Sequence, residues 1–324
     1  MVAVPKKRDV LSVANLVSDL PALLAHAQEL KNARAKGVLR PTLAGKNLAL
    51  IFEKPSTRTR TSFEVAMNDL GGHALYMSSR DLQLGRGETI ADTARVLSRY
   101  VDGIAFRAYH HADMVELAKW ASVPVINALD DLEHPCQISA DLLTLYERWN
   151  GRFKGRRLAY IGDGNNVLNS LLLGAAAVGL DIAAATPTQY RPNPQILHQA
   201  EEYARHSGSA VILTEDPQEA ARGSDAIYTD VWVSMGDEAE REARERAFKG
   251  YQLNDELLEL AKPGAFALHD LPAHRGQEIT DSVMDGTHQA IWDQAENRLH
   301  AQKAILEWLL APSAGAARPR KSRK

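Results

Sequence analysis

The chain has one cysteine, Cys136, in 324 residues. An intrachain disulfide is therefore excluded, which fits a reducing compartment. No apolar stretch approaches ~20 residues, so no segment reads as a membrane span. The opening MVAVPKKRDVLSVANLVSDL lacks the unbroken apolar core of a signal peptide. We expect a cytoplasmic protein. Excess charge is missing as well: a formal net charge of −3 gives the body no nucleic-acid or membrane surface. Concentrated basic charge occurs only at the end, where five of the last seven residues are Arg or Lys. With no apolar face beside it, 311–324 reads as a solvated, disordered tail. No internal repeat at a solenoid period is present.

What is abundant is apolar sequence, 45% of the chain, enough for substantial cores. The length suggests two domains. Apolar runs that read as buried strands lie at 46–52, 73–77, 101–108 and 123–129, and again at 156–162, 181–186, 210–214, 225–231 and 264–269. Segments of helical period separate them: Phe63, Met67 and Leu70 share a face stopped by Gly71-Gly72, and Leu142, Leu145 and Tyr146 share another. Near-continuous apolar strands alternating with helices predict an α/β fold: two doubly wound domains, each with a central parallel sheet flanked by helices. The polar stretch ERWNGRFKGRR (147–157) is the crossover between them, and 289–310 reads as a long helix after the last strand.

Directly after the first apolar run comes FEKPSTRTRTSFE (52–64), with five hydroxyls and two arginines. Ligands of α/β sheets bind beyond the carboxyl ends of the strands. A helix starting there offers unpaired N–H groups and a partial positive charge. Hydroxyls and an arginine at that terminus complete an oxyanion site. Thr61 with Glu64 also fits a capping box. A nucleotide P-loop is not present, because its glycines and lysine are missing.

FEKPSTRTRTSFE closely resembles the carbamoyl phosphate signature of the carbamoyltransferases. A second family signature, His-Pro-Cys-Gln, is matched at 134–137, where Pro135 suits a first helical position. The resemblance implies a carbamoyl phosphate site of Ser56, Thr57, Arg58, Thr59, Gln83, Arg107, His134, Pro135, Cys136, Gln137 and Arg298. In it, His134 donates to the carbonyl oxygen and Gln137 holds the carbamoyl amide. Arg107 bridges carbonyl and phosphate oxygens, Arg298 returns from the last helix, and Gln83 sits in a loop that the family extends into a neighbouring subunit's site. Cys136 is a spectator to the chemistry.

The second half resembles the ornithine-specific members. Gly162-Asp163-Gly164 looks like half a dinucleotide fingerprint, but Val167 stands where the third glycine belongs, so a nicotinamide-binding dehydrogenase is a weak reading. In the resemblance this turn supplies an asparagine to the amino acid, Asn166 or, next in line, Asn165. DVWVSMG (230–236) is similar to the ornithine-binding loop, implying Asp230 at the substrate amines and Ser234 and Met235 at its carboxylate, with the loop as a lid. One departure stands out: the family reads His-Cys-Leu-Pro before AHRG, whereas this chain has Asp270 in LHDLPAHRGQEI. With Asp230 and Asp270 close together, one carboxyl is raised unless a cation lies between them. Leu271 is implied as a backbone contact to substrate, His269 and His274 as structural. His110-His111 lacks metal-like partner spacing and reads as surface loop.

The resemblance implies a catalytic set of Arg107, His134, Asp270 and Asp230, with no metal and no cofactor. The implied partners are carbamoyl phosphate, L-ornithine and further copies of the chain, as a homotrimer or a multiple of it. The implied division is 1–148 for carbamoyl phosphate, joined by helix 289–310, and 149–288 for ornithine. Asp270 keeps a different amine open, putrescine or a modified ornithine. A non-catalytic family member is the remaining alternative, against which the intact Arg58, Arg107 and His134 set argues.

Overall fold

In the computed structural model, which describes residues 7–234 and 238–311, the apolar runs form two wholly parallel sheets. The first has four strands, β1 (Asn47–Phe52), β2 (His73–Ser78), β3 (Gly103–Arg107) and β4 (Val125–Leu129), in the order β2-β1-β3-β4. The second has five, β5 (Arg157–Ile161), β6 (Asp181–Ala185), β7 (Val211–Thr214), β8 (Ala226–Thr229) and β9 (Phe266–His269), in the order β7-β6-β5-β8-β9. Central strands β1, β3, β5 and β8 are almost wholly buried. Edge strands β2 and β7 alternate or expose residues, as expected when helices cover only the middle of each face.

Helices of the first half are α1 (Leu20–Ala35), α2 (Thr57–Asp69), α3 (Ile90–Leu97), α4 (His111–Trp120) and α5 (Pro135–Arg148). The second half carries α6 (Asn166–Val178), α7 (Pro194–Ser207), α8 (Pro217–Ala221), α9 (Arg241–Ala247), α10 (Asp255–Glu259) and α11 (Asp281–Asp285). The last, α12 (Ile291–Leu310), follows the second sheet but packs against α5, α1 and α2 of the first half. Every residue of α5 from Pro135 to Leu145 is buried. A helix enclosed all round lies inside the molecule rather than on it; α5 touches β4, α1, α6 and α12.

Two sequence expectations are corrected by this geometry. Ser56, not Thr61, caps α2, its hydroxyl accepting the Thr59 N–H at 3.2 Å. The helix therefore begins at Thr57, and Glu64 pairs with Arg60 along its exposed side at 3.0 Å. The hydroxyl-rich stretch offered several caps, and the strand's end selected the earliest. His110-His111 is not simply a surface loop: His110 is the cap position of α4 and His111 its first residue. His111 Nδ1 reaches the buried carboxylate of Asp130 at 2.7 Å.

Strand order decides where a ligand can sit. The chain reverses direction across each sheet at β1/β3 and at β5/β8, and such switch points open crevices at the carboxyl ends of the strands.

Candidate active site

Both switch points face one cleft of about 790 Å³. It is lined by the segments that leave β1 (Lys54 to Thr59), β3 (Arg107), β4 (Leu129 to Asp131), β5 (Asp163 to Val167), β8 (Asp230 to Ser234) and β9 (Asp270 to Pro272), and by Arg298 from α12. The register of β1 on β3 pairs Phe52 with Arg107, so Arg107 stands beside the chain as it turns into the Ser56 cap. Arg298 donates to Thr59 Oγ1 at 2.9 Å and to Gln137 Oε1, tying the two cleft-lining helices α2 and α5 together.

Electrostatically, this wall is an anion site. Burial lowers Arg107 to about 10, helped by the repulsion of Arg298 and Arg58. Burial lowers Arg298 and Arg58 as well. All three remain cations at neutral pH, and none forms an ion pair with a carboxylate among the described residues. Uncompensated buried cations are costly unless an anion joins them. The N-terminus of α2 points its free N–H groups into the same space. His134, the cap position of α5, is held well below its usual range by burial and then by Arg298 and Arg107. It is a neutral imidazole, able to donate one N–H, and its buried Nδ1 has no hydrogen-bond partner among the described residues.

The opposite wall is acidic. Asp230 follows β8, and Asp270 follows β9. Burial and the neighbouring charge of Asp270 push Asp230 well above the usual carboxylate range. Burial acts on Asp270 too, but hydrogen bonding to His269 and Asp230 outweighs it and holds Asp270 low. One proton is thus divided between two carboxyls. Asn165 caps α6 through Val167 and Leu168 N–H and donates its Nδ2 to Asp230 at 2.7 Å. Asn166 Nδ2 donates to the Asp130 carbonyl at 2.6 Å. Both asparagines line the cleft. His269 is fully buried and meets Glu278 at 3.1 Å, a supporting rather than a cleft-lining position. Among the described residues, Asp230, His269 and Asp270 bring one potential ligand atom each within 4.8 Å of one another. The shared proton accounts for that approach, and a substrate ammonium can take its place.

Comparison with known proteins agrees with this division of the cleft. Residues 8–147 match the family model for the carbamoyl-P binding domain of aspartate/ornithine carbamoyltransferase, and 154–309 match its Asp/Orn binding domain. The chain belongs to the aspartate/ornithine carbamoyltransferase family. An ornithine carbamoyltransferase of Archaeoglobus fulgidus is 56% identical over 304 residues, covering 94% of this chain and 97% of that protein. A relative from Thermoplasma volcanium, named as the catabolic form, is 52% identical, covering 94% and 99%. The solved ornithine carbamoyltransferase of Pyrococcus furiosus superposes with a TM-score of 0.91 at 50% identity, covering 96% of this chain and all of that one.

The carbamoyltransferase fold brings most of the sequence-derived residues together. Ser56, Thr57, Arg58, Thr59, Arg107, His134, Gln137 and Arg298 line one side; Asn166, Asp230, Ser234, Asp270 and Leu271 line the other. Three candidates stand elsewhere. Gln83 is exposed, in a short 3-10 turn, and does not reach this cleft. Pro135 and Cys136 are buried behind the wall, where Cys136 Sγ contacts the Asn127 carbonyl at 3.4 Å. Burial pushes that thiol up to about 12, so it is inert. Met235 lies outside the described residues.

The cleft also contains groups that sequence reasoning passed over: Gln189, Tyr190 and Arg191 after β6, and Arg241 and Arg244 on α9. A signal for the first three existed, since they follow an apolar strand at its carboxyl end. The glycine pair after β5 finds its reason here. Gly164 N–H donates to Tyr190 O at 2.8 Å, and a Cβ on Gly164 would fall 2.3 Å from the Arg191 carbonyl carbon. The glycine allows a backbone crossing and implies no nucleotide.

Proposed function

We propose that the chain transfers the carbamoyl group of carbamoyl phosphate to the δ-amine of L-ornithine, giving L-citrulline and phosphate. The observation that carries this is the pairing, across one cleft, of three arginines converging on a helix N-terminus, none in a direct ion pair among the described residues, with a proton-sharing carboxyl pair. The first wall suits a doubly charged mixed anhydride; the second suits a cationic amine. The family models for the two halves and the names of the relatives support the same pair of substrates.

In this reading Arg58 and the α2 terminus hold the phosphate. His134, Arg107 and Thr59 meet the oxygen that becomes an oxyanion as the amine adds to the carbamoyl carbon. Ornithine enters as a cation between Asp230 and Asp270. Its ammonium gives one proton to that pair, the free amine adds and the C–N bond forms, and as the C–O bond to phosphate breaks the second amine proton passes to the leaving phosphate. Asn166, Ser234, Met235 and Leu271 orient the amino acid. Closure of the two halves, with the segment after Ser234 as lid, aligns the reactants. The ornithine-binding half is 149–288; 1–148 with helix 289–310 binds carbamoyl phosphate. From the resemblance of its loop to the family's we infer a homotrimer, or a multiple of it, in which the exposed Gln83 serves a neighbour's site. We place the reaction in the cytoplasm, within arginine metabolism, with citrulline formation as the biosynthetic direction.

A colorimetric citrulline assay with carbamoyl phosphate and a panel of ornithine, putrescine and acylated ornithine tests the assignment. Ornithine is expected to be the preferred amine. Product from another amine alone, or from none, overturns it. Phosphorolysis of citrulline in the same preparation reads the direction.

A further inference from the structure

Gln137 and Asp141 lie one helical turn apart on α5, and Asp141 is completely buried, away from the cleft. Its carboxylate receives three donors from three elements. Gln137 Nε2 reaches Oδ1 at 2.8 Å, Gln294 Nε2 of α12 reaches the same oxygen at 2.7 Å, and the Tyr228 hydroxyl of β8 reaches Oδ2 at 3.0 Å. Gln294 in turn accepts the His269 N–H with its Oε1 at 2.9 Å.

The donor and acceptor pattern has one solution. Arg298 can only donate, so the Gln137 atom facing it is the carbonyl oxygen. Burial pushes Asp141 up to about 7, but its Oδ1 already receives Gln294 Nε2, so in either form the Gln137 atom facing it is the NH2. Without Asp141 the Arg298 contact alone would oppose a flipped amide, and the Gln137 NH2 would lose its buried acceptor. Gln294 is pinned in the same way, between the His269 N–H and Asp141.

We propose that Asp141 is a positioning residue that holds the Gln137 amide with its oxygen toward the cleft, where it receives the amide N–H of a carbamoyl group. The inference rests on the carbamoyl-transfer reading above and assigns a specificity determinant to a residue that touches no substrate. Through Tyr228 and Gln294 the same carboxylate ties this orientation to the amine-binding half. A methyl, or the ionised oxygen of a carboxyl group, in place of the carbamoyl NH2 has no hydrogen to donate to that oxygen, so the device selects carbamoyl over acetyl or carboxyl phosphates.

A double-mutant cycle tests it, read as kcat/KM for carbamoyl phosphate at saturating ornithine. Asp141→Leu removes the acceptor and is expected to cost about ten- to a hundred-fold. Gln137→Glu in the unaltered chain sets two carboxyls against each other and is expected to lower activity as well. In the Asp141→Leu chain the same Gln137→Glu change is expected to raise it, because a carboxylate has no wrong orientation. That reversal of sign is what a merely structural Asp141 does not produce. Where Asp141→Leu prevents folding, Asp141→Asn replaces it: its amide oxygen still accepts from Gln137, so alone it costs little, and it relieves Gln137→Glu. If Gln137→Glu is equally harmful in both backgrounds, or if Asp141→Leu leaves kcat/KM unchanged, the inference is overturned. Failure of the unaltered chain to make citrulline would instead strike the parent reading, so the two failures are distinguishable.

Discussion

Arg58, Arg107 and Arg298 crowd one wall of the cleft with no direct ion pair to a carboxylate among the described residues and only the more distant charge of Asp270 acting on them, and this is the residue-scale feature on which the function turns. Arg107→Ala or His134→Ala is expected to lower kcat by on the order of 10²–10³-fold, the cost of one prearranged donor to a developing oxyanion. Circular dichroism is expected to remain that of the unaltered chain, since both side chains serve the cleft. Asp270 sets the second residue-scale expectation. With Asp230 raised and Asp270 low, the pair carries one proton and one charge. Asp270→Asn removes the charge that raises Asp230, so Asp230 titrates at lower pH, and the acid limb of the pH–rate profile moves down while kcat falls. Asp270→Cys restores a titrating group and moves the optimum. Ornithine turnover equal to the unaltered chain at every pH, in both variants, would remove Asp270 from the mechanism. Arg58, His134, Asp230 and Asp270 were readable in contiguous motifs; Arg107 and Arg298, isolated in the sequence, came only with the family resemblance. Arg244 was not readable: its guanidinium reaches Asp163 at 2.8 Å across 81 positions of chain, and no local pattern announces such a partner.

At the scale of elements, the helix starts carry the lesson. Strand–turn–helix punctuation was legible wherever an apolar run ended in Ser, Asn or Pro, as at Ser56, Asn165 and Pro135. The choice between neighbouring caps was not, because several hydroxyls satisfy the same rule and only the strand's end selects one. The α4 start gives a pH-dependent expectation. Hydrogen bonding to Asp130 raises His111 above its ordinary value. A raised histidine stabilises the fold fully below the unfolded-state pKa and loses that contribution as pH rises through the folded-state value. Urea midpoints of the unaltered chain and His111→Gln are therefore expected to differ most at pH 6 and to converge toward pH 9; a gap constant with pH would show that the charge plays no part. At the β5–α6 turn, Gly164→Ala forces a Cβ against the Arg191 backbone. It is expected to destabilise the chain by about 1–3 kcal/mol, measured by urea unfolding.

For the whole molecule, the two sheets place their switch points opposite each other, and α12 crosses back to bind the halves together. Two substrates meet between two bodies, so closure is the expected motion. Sharing of sites between subunits is testable at this scale. Gln83→Ala and Arg107→Ala are each expected to be inactive alone. If the chain assembles as the proposed trimer, co-expression is expected to give mixed assemblies in which some sites draw an intact Gln83 and an intact Arg107 from different chains, and activity returns. No recovery in mixed assemblies would show that Gln83 does not serve a neighbouring site.

Local patterns in the chain determined the elements and the chemistry. Apolar runs specified strands, because buried parallel strands need both faces apolar, and contiguous signatures specified the anion-binding turns, because a helix terminus is built from adjacent residues. Tertiary structure alone decided the order of strands, the return of α12, the meeting of Asp230 with Asp270, and the three donors on Asp141. Those are contacts between residues up to 281 positions apart. They follow from how the sheets close over a common core, which is a property of the packed molecule and of no segment within it.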